Sequence, residues 1–325
     1  MQQRDDMTLI GYHASHEQYP PSKMLEYVRA AEQAGFAGVM CADHFHPWLE
    51  ANGHSGFAWS WLGASLQATK IPHGVVNAPG DRYHPAIIAQ AAATLAEMYP
   101  RRFWLAVGSG EALNEHVTGS PWSSKPERNE RLRECVDVIR ALWRGETVTH
   151  RGRVVVVDAK LYSLPAAPPR LLGAAVSEQT ARWVGSWADG LITTGRPRDA
   201  MRKMIEAFRA GGGEGKSIAV QHGLSWARTD EEARRNAYEQ WRFCALGGDV
   251  LWDLRMPGEL ETASKTITAD DVARTLRVSS DLEQHAEWIR DYIELGADEV
   301  YCFNVGKNQV EYIEAFGDGV LPTFV

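Results

Sequence analysis

The chain has 325 residues, a net charge of -8, and a composition that is 44% hydrophobic and 23% charged. That length suits one large α/β barrel or two ordinary domains, and the composition is that of a chain with a normal core. With no long basic run, a general nucleic-acid surface and a polybasic membrane patch are excluded, and no stretch approaches the roughly 18 apolar residues of a membrane span. The segment Met1 to Asp6 carries no apolar run of the secretory kind, which predicts a cytoplasmic chain. The four cysteines, Cys41, Cys135, Cys244 and Cys302, are widely spaced, as free buried thiols would be. Twelve tryptophans exceed the needs of a core, and some are expected to line a pocket.

Strand and helix signals alternate from end to end. Leu9 to Ala14 reads as the first strand, and Pro20-Pro21-Ser22 opens a helix that runs to Gly35. Gly38 to Ala42 is the second strand and Gly74 to Asn77 the third. A helix follows over 85–98, with apolar positions at Ile87, Ile88, Ala91, Leu95 and Ala96. Phe103 to Val107 is the fourth strand. The helix over 125–143 sets Leu132, Val136, Ile139, Leu142 and Trp143 on one face. Leu171 to Val176, Gly190 to Thr194, Ser217 to Trp226 and Val300 to Asn304 complete eight strands.

A weak repeat supports this order. The stretches starting at Ala34, Trp187 and Gly296 each run from a helix end through a Gly or Asp turn into an apolar strand. The pattern predicts an α/β fold, a (β/α)8 TIM barrel with insertions at the C-terminal face, as a single domain over 1–325. One insertion, 145–169, holds Val154-Val155-Val156-Val157 and three prolines, and predicts a hairpin with a proline-rich return. The other, 246–279, is predicted to lie over the C-terminal face as a partial lid. Ser280-Asp281-Leu282-Glu283 reads as a capping box.

The chemistry gathers just past the strand ends, where parallel α/β folds place ligands. Asp43-His44-Phe45-His46-Pro47-Trp48 follows the second strand. Histidine is the side chain type suited to proton exchange at neutral pH, so His44 suits proton abstraction from an alcohol as hydride leaves. A metal pair formed with His46, as in barrel hydrolases, is the alternative, although position 304 is Asn rather than the Asp such sites use. Asp43 either holds a ligand amide or orients the loop. Gly108-Ser109-Gly110-Glu111-Ala112-Leu113 imitates a dinucleotide fingerprint but lacks the third glycine. A backbone that lets Glu111 and Asn114 approach a flat ring is the better reading. Glu111 also suits an ordinary helix N-terminus. Gly211-Gly212-Gly213-Glu214-Gly215-Lys216-Ser217 lacks the first glycine of a phosphate loop and lies between helix and strand, so it is a flexible turn. His13, His16 and Glu17 face the same cleft, and Arg196 is the candidate for an anionic group.

These residues resemble the luciferase-like flavin oxidoreductases over nearly the whole chain, and within them the glucose-6-phosphate dehydrogenases that use the deazaflavin coenzyme F420. The similar words are Gly11-Tyr12 with Ala14-Ser15 and Glu17-Gln18, Asp43-His44-Phe45 with Pro47-Trp48, Arg82-Tyr83 with Pro85, Ile88 to Ala91, and Gly110 to Glu115. The resemblance implies a catalytic set of His44 as base, Trp48 as stabiliser of the charged intermediate, and Glu111 as proton donor to the ring. It implies cofactor contacts from Asp43, Val75, Val76, Asn114, Ser177 and Thr194, with a non-prolyl cis peptide at Val75–Val76. His13, Glu17 and Arg196 would touch substrate, and no metal is required. Of three positions that grip sugar phosphate, Arg196 occupies the first, while Thr262 and Thr275 fall at the others. Val176-Ser177 stands where a paired glycine lies near the cofactor phosphate. This chain resembles a clade that reverted to ordinary flavin, so FMN is expected ahead of coenzyme F420. A homodimer acting on a small molecule is also implied.

Overall fold

The structure is a computed structural model that describes residues 8–247 and 250–324. The reading of Met1 to Asp6 therefore lies outside the described residues. In chain order the elements are β1 (Leu9–Ala14), α1 (Pro21–Gln33), β2 (Val39–Ala42), α2 (Ala58–Ala68), β3 (His73–Asn77), α3 (Pro85–Met98), β4 (Phe103–Val107), α4 (Ala112–Glu115) and α5 (Lys125–Trp143). Then come β5 (Val148–Arg151), β6 (Val155–Ala159), β7 (Arg170–Ala174), α6 (Glu178–Gly185), β8 (Gly190–Thr194), α7 (Arg198–Phe208), β9 (Ser217–Ser225) and α8 (Asp230–Trp241). The last are α9 (Val250–Asp253), α10 (Pro257–Ala263), α11 (Ala269–Thr275), β10 (Arg277–Val278), α12 (Leu282–Glu294), β11 (Glu299–Asn304) and α13 (Gln309–Gly319).

Eight parallel strands run β9-β11-β1-β2-β3-β4-β7-β8, and β8 pairs with β9 to close a (β/α)8 barrel. The short β10 extends the β9 edge at the mouth. β5 and β6 form the expected antiparallel hairpin. Both faces of each barrel strand are covered, which is why the strands are near-continuous apolar runs. Residues of one parity, such as Val39, Cys41, Val75, Leu105 and Val107, pack under the helices. Those of the other, including Met40, Trp104, Ala106, Leu172, Ile192, Ala219 and Tyr301, fill the barrel.

The filling is asymmetric, and glycine makes it possible. A Cβ at Gly74 would stand 1.8 Å from the Trp104 indole, and one at Gly11 would stand 2.3 Å from the Tyr301 ring. Trp104 Nε1 donates to the Tyr301 hydroxyl at 3.1 Å, and that hydroxyl donates to Glu299 at 2.6 Å. Arg170 pairs with Glu299 at 2.6 Å. The floor of the barrel is thus a closed polar chain beneath packed rings, which leaves the opposite end for chemistry.

Several expectations are corrected. Ile87 is exposed, because α3 buries the stripe Ile88, Ala89, Ala92, Ala93, Leu95 and Ala96 instead. The helix after residue 280 is capped by Asp281, whose carboxylate accepts from Glu283 N at 2.9 Å, rather than by Ser280. The glycine run at 211–213 is a packing device. A Cβ at Gly211 would meet the Arg182 carbonyl at 1.8 Å, so the run lets the end of α7 lie against α6. The insertion after α8 breaks into α9, α10 and α11. Leu260 of α10 buries against Trp48 and Leu113, and Val272 of α11 packs beside Phe303, so the insertion does cover part of the C-terminal face. Cys41, Cys135 and Cys302 are buried free thiols and Cys244 is half-buried.

Substituting Gly74→Ala forces a methyl into the Trp104 ring. It should cost about 1–3 kcal/mol of stability, the usual cost of overpacking, read as a lowered denaturant midpoint with an unchanged slope.

Candidate active site

Three loops at the carboxyl ends of β2, β3 and β4 converge on one buried cluster. The Asp43 carboxylate accepts from Trp59 Nε1 at 3.1 Å, Asn77 Nδ2 at 2.8 Å and the Tyr83 hydroxyl at 3.3 Å. Arg82 lies 3.6 Å from the same carboxylate and donates to the Asp43 carbonyl at 2.6 Å. Both Asp43 oxygens are therefore engaged within the protein. Of the two readings of Asp43, the one in which it orients the loop is the one its contacts support.

Arg82 also reaches the β4 loop. Its Nε lies 3.7 Å from Glu115, and its backbone N–H donates to the same carboxylate at 2.9 Å. Arg82 and Glu115 both lie in words that carry the resemblance, but the sequence assigns neither a role, since their partners lie 33 to 39 residues away. Burial pushes the Glu115 carboxyl up to about 7, against the pull of Arg82. Gly110 permits this packing: it takes φ +80°, and a Cβ there would come within 2.9 Å of Glu115. Asn114 ties the same loops from another side. Its Oδ1 accepts from Phe45 N at 2.8 Å and His46 N at 3.2 Å.

His44 is held on this base. Its Nδ1 lies 3.5 Å from Glu17 Oε1, and its ring lies 5.1 Å from Trp48. Glu17 is buried and accepts from Ser15 Oγ at 2.9 Å. Burial alone would raise its carboxyl, but the imidazoles of His44 and then His13 hold it below the ordinary carboxylate value. Glu111 stands at the N-cap position of α4 without a side-chain capping bond, and receives a long contact from Asn114 Nδ2 at 3.4 Å. Burial raises its carboxyl above the ordinary range, while His44 draws it down. His13 is buried and stacks on Phe303 at 4.5 Å, and burial lowers its imidazole to about 4. His16 turns aside, with its Nδ1 at 3.0 Å from the Gly56 carbonyl.

His46 points away from His44. Its Nδ1 lies 2.8 Å from the Leu113 carbonyl, and its ring stacks on His116. Among the described residues no three His, Cys, Asp or Glu side chains are grouped to hold a metal. The hydrolase alternative built on His44 and His46 therefore has no donor set.

The other half of the mouth is small and open. Val76, Gly108, Ala174 and Thr194 share the inward parity of β3, β4, β7 and β8, and none presents a large side chain. Val75 does not belong with them. It is fully buried under the helices, so its side chain cannot touch a ligand in the mouth, and the Val75–Val76 peptide is trans. Ser177 caps α6, accepting from Thr180 N at 3.2 Å. Arg196 donates to the Val176 carbonyl at 3.0 Å and to Thr194 oxygens at 3.4 Å, all neutral groups. Thr262 and Thr275 are exposed on α10 and α11, and Thr275 Oγ1 donates to its own helix at Asp271 O.

An acid–base cluster at the carboxyl end of a closed barrel, beside an open floor, defines an α/β-barrel enzyme. Residues 7–299 match the family described as luciferase-like monooxygenase, and the chain belongs to that family. It is a luciferase-like oxidoreductase. An F420-dependent glucose-6-phosphate dehydrogenase of Segniliparus rotundus is 35% identical over 96% of this chain and 97% of its own length. One from Kribbella flavida is 35% identical over 96% and 97%. The chain superposes with TM-score 0.91 and 31% identity on an F420-dependent secondary alcohol dehydrogenase solved with an F420-acetone adduct, over 98% of this chain and 99% of that one. The EDTA monooxygenase of Chelativorans shares the fold, at TM-score 0.74 and 14% identity over 98% and 93%. Among the described residues no helix is long and apolar enough to cross a membrane.

Arg82→Ala removes the cation shared by two buried carboxyl groups, Asp43 and Glu115. It should cost about 3–5 kcal/mol, as for breaking a buried pair, measured by chemical denaturation. Glu115 gives a pH signature. Its folded-state value lies near 7 against an ordinary 4.5, so the folded state holds a proton that the unfolded chain has lost. Its contribution is full below about pH 4.5 and is lost as pH rises to 7 and beyond. The wild-type minus Glu115→Gln difference in unfolding free energy should therefore fall across that window.

Proposed function

We propose that this chain oxidises the hydroxyl of a small organic substrate by hydride transfer to a deazaflavin, coenzyme F420, held over the open half of the mouth. The observation that carries the proposal is the contact of His44 with Glu17 beside a Glu111 carboxyl that burial raises. An imidazole oriented by a carboxylate, beside a second carboxyl whose protonated form burial favours, is what acid–base oxidation needs.

The residues present fit such a ring. Val76, Gly108, Ala174 and Thr194 leave a flat floor, and a Cβ added at Gly108 would meet only Ala174, at an ordinary 3.5 Å. Arg196 hydrogen-bonds only neutral oxygens, next to Ser177 and Thr194, with the Glu178 carboxylate as its nearby opposite charge, and a phosphate chain would suit its guanidinium. When bound, the cofactor supplies hydride acceptance, which no side chain here can provide. The Glu17 carboxylate, 3.5 Å from Nδ1, favours the tautomer protonated there, which leaves the Nε2 lone pair of His44 to take the hydroxyl proton. Glu17 stabilises the imidazolium that results. Trp48, packed against His44, covers this charge from water. Glu111 holds a proton for the ring nitrogen. Asp43 and Asn114 act by fixing the loops that carry His44 and Glu111.

The curated relatives favour deazaflavin over FMN, which reverses the order expected from the sequence. One observation favours a second reading, reduced-FMN monooxygenation: Val176 and Ser177 replace the paired glycine, and Val176 is exposed at the strand end. The proposal includes a single domain, cytoplasmic and paired with a second copy, as the family resemblance implies.

Titration of the apo-protein with FMN and, separately, with coenzyme F420, followed by tryptophan fluorescence, tests the cofactor. Tight binding of F420 alone supports the dehydrogenase. Tight binding of FMN alone replaces it with the monooxygenase, and binding of neither overturns both. His44→Asn should keep the cofactor affinity and lose about 10²- to 10⁴-fold in kcat, the worth of a positioned base.

A further inference from the structure

The small-residue floor has a charged edge. Lys125, the first residue of α5, reaches back to the end of β4, where its Nζ donates to Ser109 Oγ. Arg196, after β8, reaches back to the end of β7, where its Nη2 donates to the Val176 carbonyl at 3.0 Å. β4 and β7 are neighbours, with Val107 paired to Gly173, so the same register continued sets Ser109 level with Ala175, one residue before Val176. Paired strands lie about 4.8 Å apart. Two cations are therefore held at the ends of two adjacent strands. Val176, Ser177 and Thr194 beside them are exposed, so the space over this edge is open to solvent.

Neither cation is neutralised at contact distance. Among the described residues no carboxylate forms an ion pair with Lys125, and the charge that bears on it is Arg128, one turn along α5 and also positive. Burial first, and then Arg128, lowers the Lys125 ammonium to about 8. Arg196 bonds neutral oxygens, with Glu178 as its nearby opposite charge. The carboxylates of the mouth, Glu17, Asp43, Glu111 and Glu115, belong instead to the acid–base cluster. An ammonium that folding has already stripped of part of its water takes up an anion without that cost falling on the complex.

Two cations at separate strand ends match a ligand with two anionic groups along one chain. FMN ends at its phosphate. Coenzyme F420 carries a phosphodiester and, beyond it, a chain of glutamate carboxylates. Resting on the proposed dehydrogenase reading, which gives the phosphate to Arg196, we infer that Lys125 is a binding residue for the acidic chain of the cofactor and forms with Arg196 a two-point anion clamp at the ends of β4 and β7. Lys125 takes a carboxylate beyond the phosphate, and Ser109 holds its ammonium in place. The clamp also selects: the floor accepts any flat ring, whereas the second cation rewards only the longer polyanion.

The test measures dissociation constants by quenching of tryptophan fluorescence. The probes are F420 carrying two or more glutamates and its fragment Fo, which has the ring and ribityl chain but neither phosphate nor glutamate. Wild type should bind F420 about a hundredfold more tightly than Fo, since each hydrogen bond to a charged group is worth about tenfold or more. Lys125→Met should remove about tenfold of that ratio and leave the Fo affinity as it was, and Lys125→Arg should keep the ratio. Lys125→Gln serves as the second variant should Lys125→Met not fold. In the double variant with Arg196→Met the two losses should add, as for two cations on two different anionic groups. An equal loss of Fo and F420 affinity in Lys125→Met, an unchanged F420 affinity, or a double variant no weaker than either single one would each overturn the inference, while Fo binding keeps the ring site standing. A wild type that binds neither Fo nor F420 would overturn the dehydrogenase reading and this inference with it.

Discussion

The Asp43 carboxylate is buried with both oxygens occupied, and the arrangement of the mouth depends on it. A carboxylate taken from water is tolerated only where donors replace the lost hydration. Trp59, Asn77, Tyr83 and Arg82 do so, and they come from α2, β3 and the loop between β3 and α3. Arg82 then spans to Glu115 behind the β4 loop. His44 is the residue after Asp43, and Glu111 lies one helical turn before Glu115. The separation of the two acid–base groups is thus set by a buried charge network rather than by the loops themselves. Such networks act as units, since removing one partner strands the others.

Much of this was open to a reader of the sequence, and the limits are physical. Strand ends were legible because parallel strands buried on both faces are apolar throughout, and Gly or Pro marks where they stop. β1, β4, β8, α3 and α5 fall at the expected residues for that reason. His44, Glu111 and Glu17 were legible because each follows such an end. Period-two alternation also decides which side chains enter the barrel. Val75 and Val76 are chemically alike, and only the register against β2 and β4 separates the one under the helices from the one in the mouth. Arg82 and Glu115 could not be assigned a role, because an arginine and a glutamate 33 residues apart look like solvated surface until the fold buries them. The contacts among the rings at 13, 44, 48, 241, 243 and 303 were hidden for the same reason, since no local period connects them.

The barrel is divided along its diameter. At the floor, large rings (Trp104 and Tyr301) oppose glycines (Gly74 and Gly11), so the interior is filled by pairing size with absence of size. The mouth repeats this division with a different result. Large rings stand on β11, β1 and the loop after β2, and small side chains stand on β3, β4, β7 and β8. A flat cofactor needs such a floor.

This division bears on how one family serves different substrates. The floor and the acid–base pair belong to strand ends and to the loops braced by Arg82, so altering them disturbs a buried charge network. The ring side of the mouth is built in part by Trp241 and Phe243, which lead into an insertion whose short helices α9, α10 and α11 pack mainly through their own apolar contacts. Changes there carry little electrostatic cost, because among the described residues that cluster is joined to the loops after β2 and β4 through the apolar side chains of Trp48, Leu49 and Leu113. On the proposed reading, substrate choice can drift at the insertion while the proton-transfer roles proposed for Glu17, His44 and Glu111 stay fixed. Thr262 and Thr275, the positions that the family resemblance sets against a phosphate grip, lie exposed on that same insertion, which is where such drift would register first.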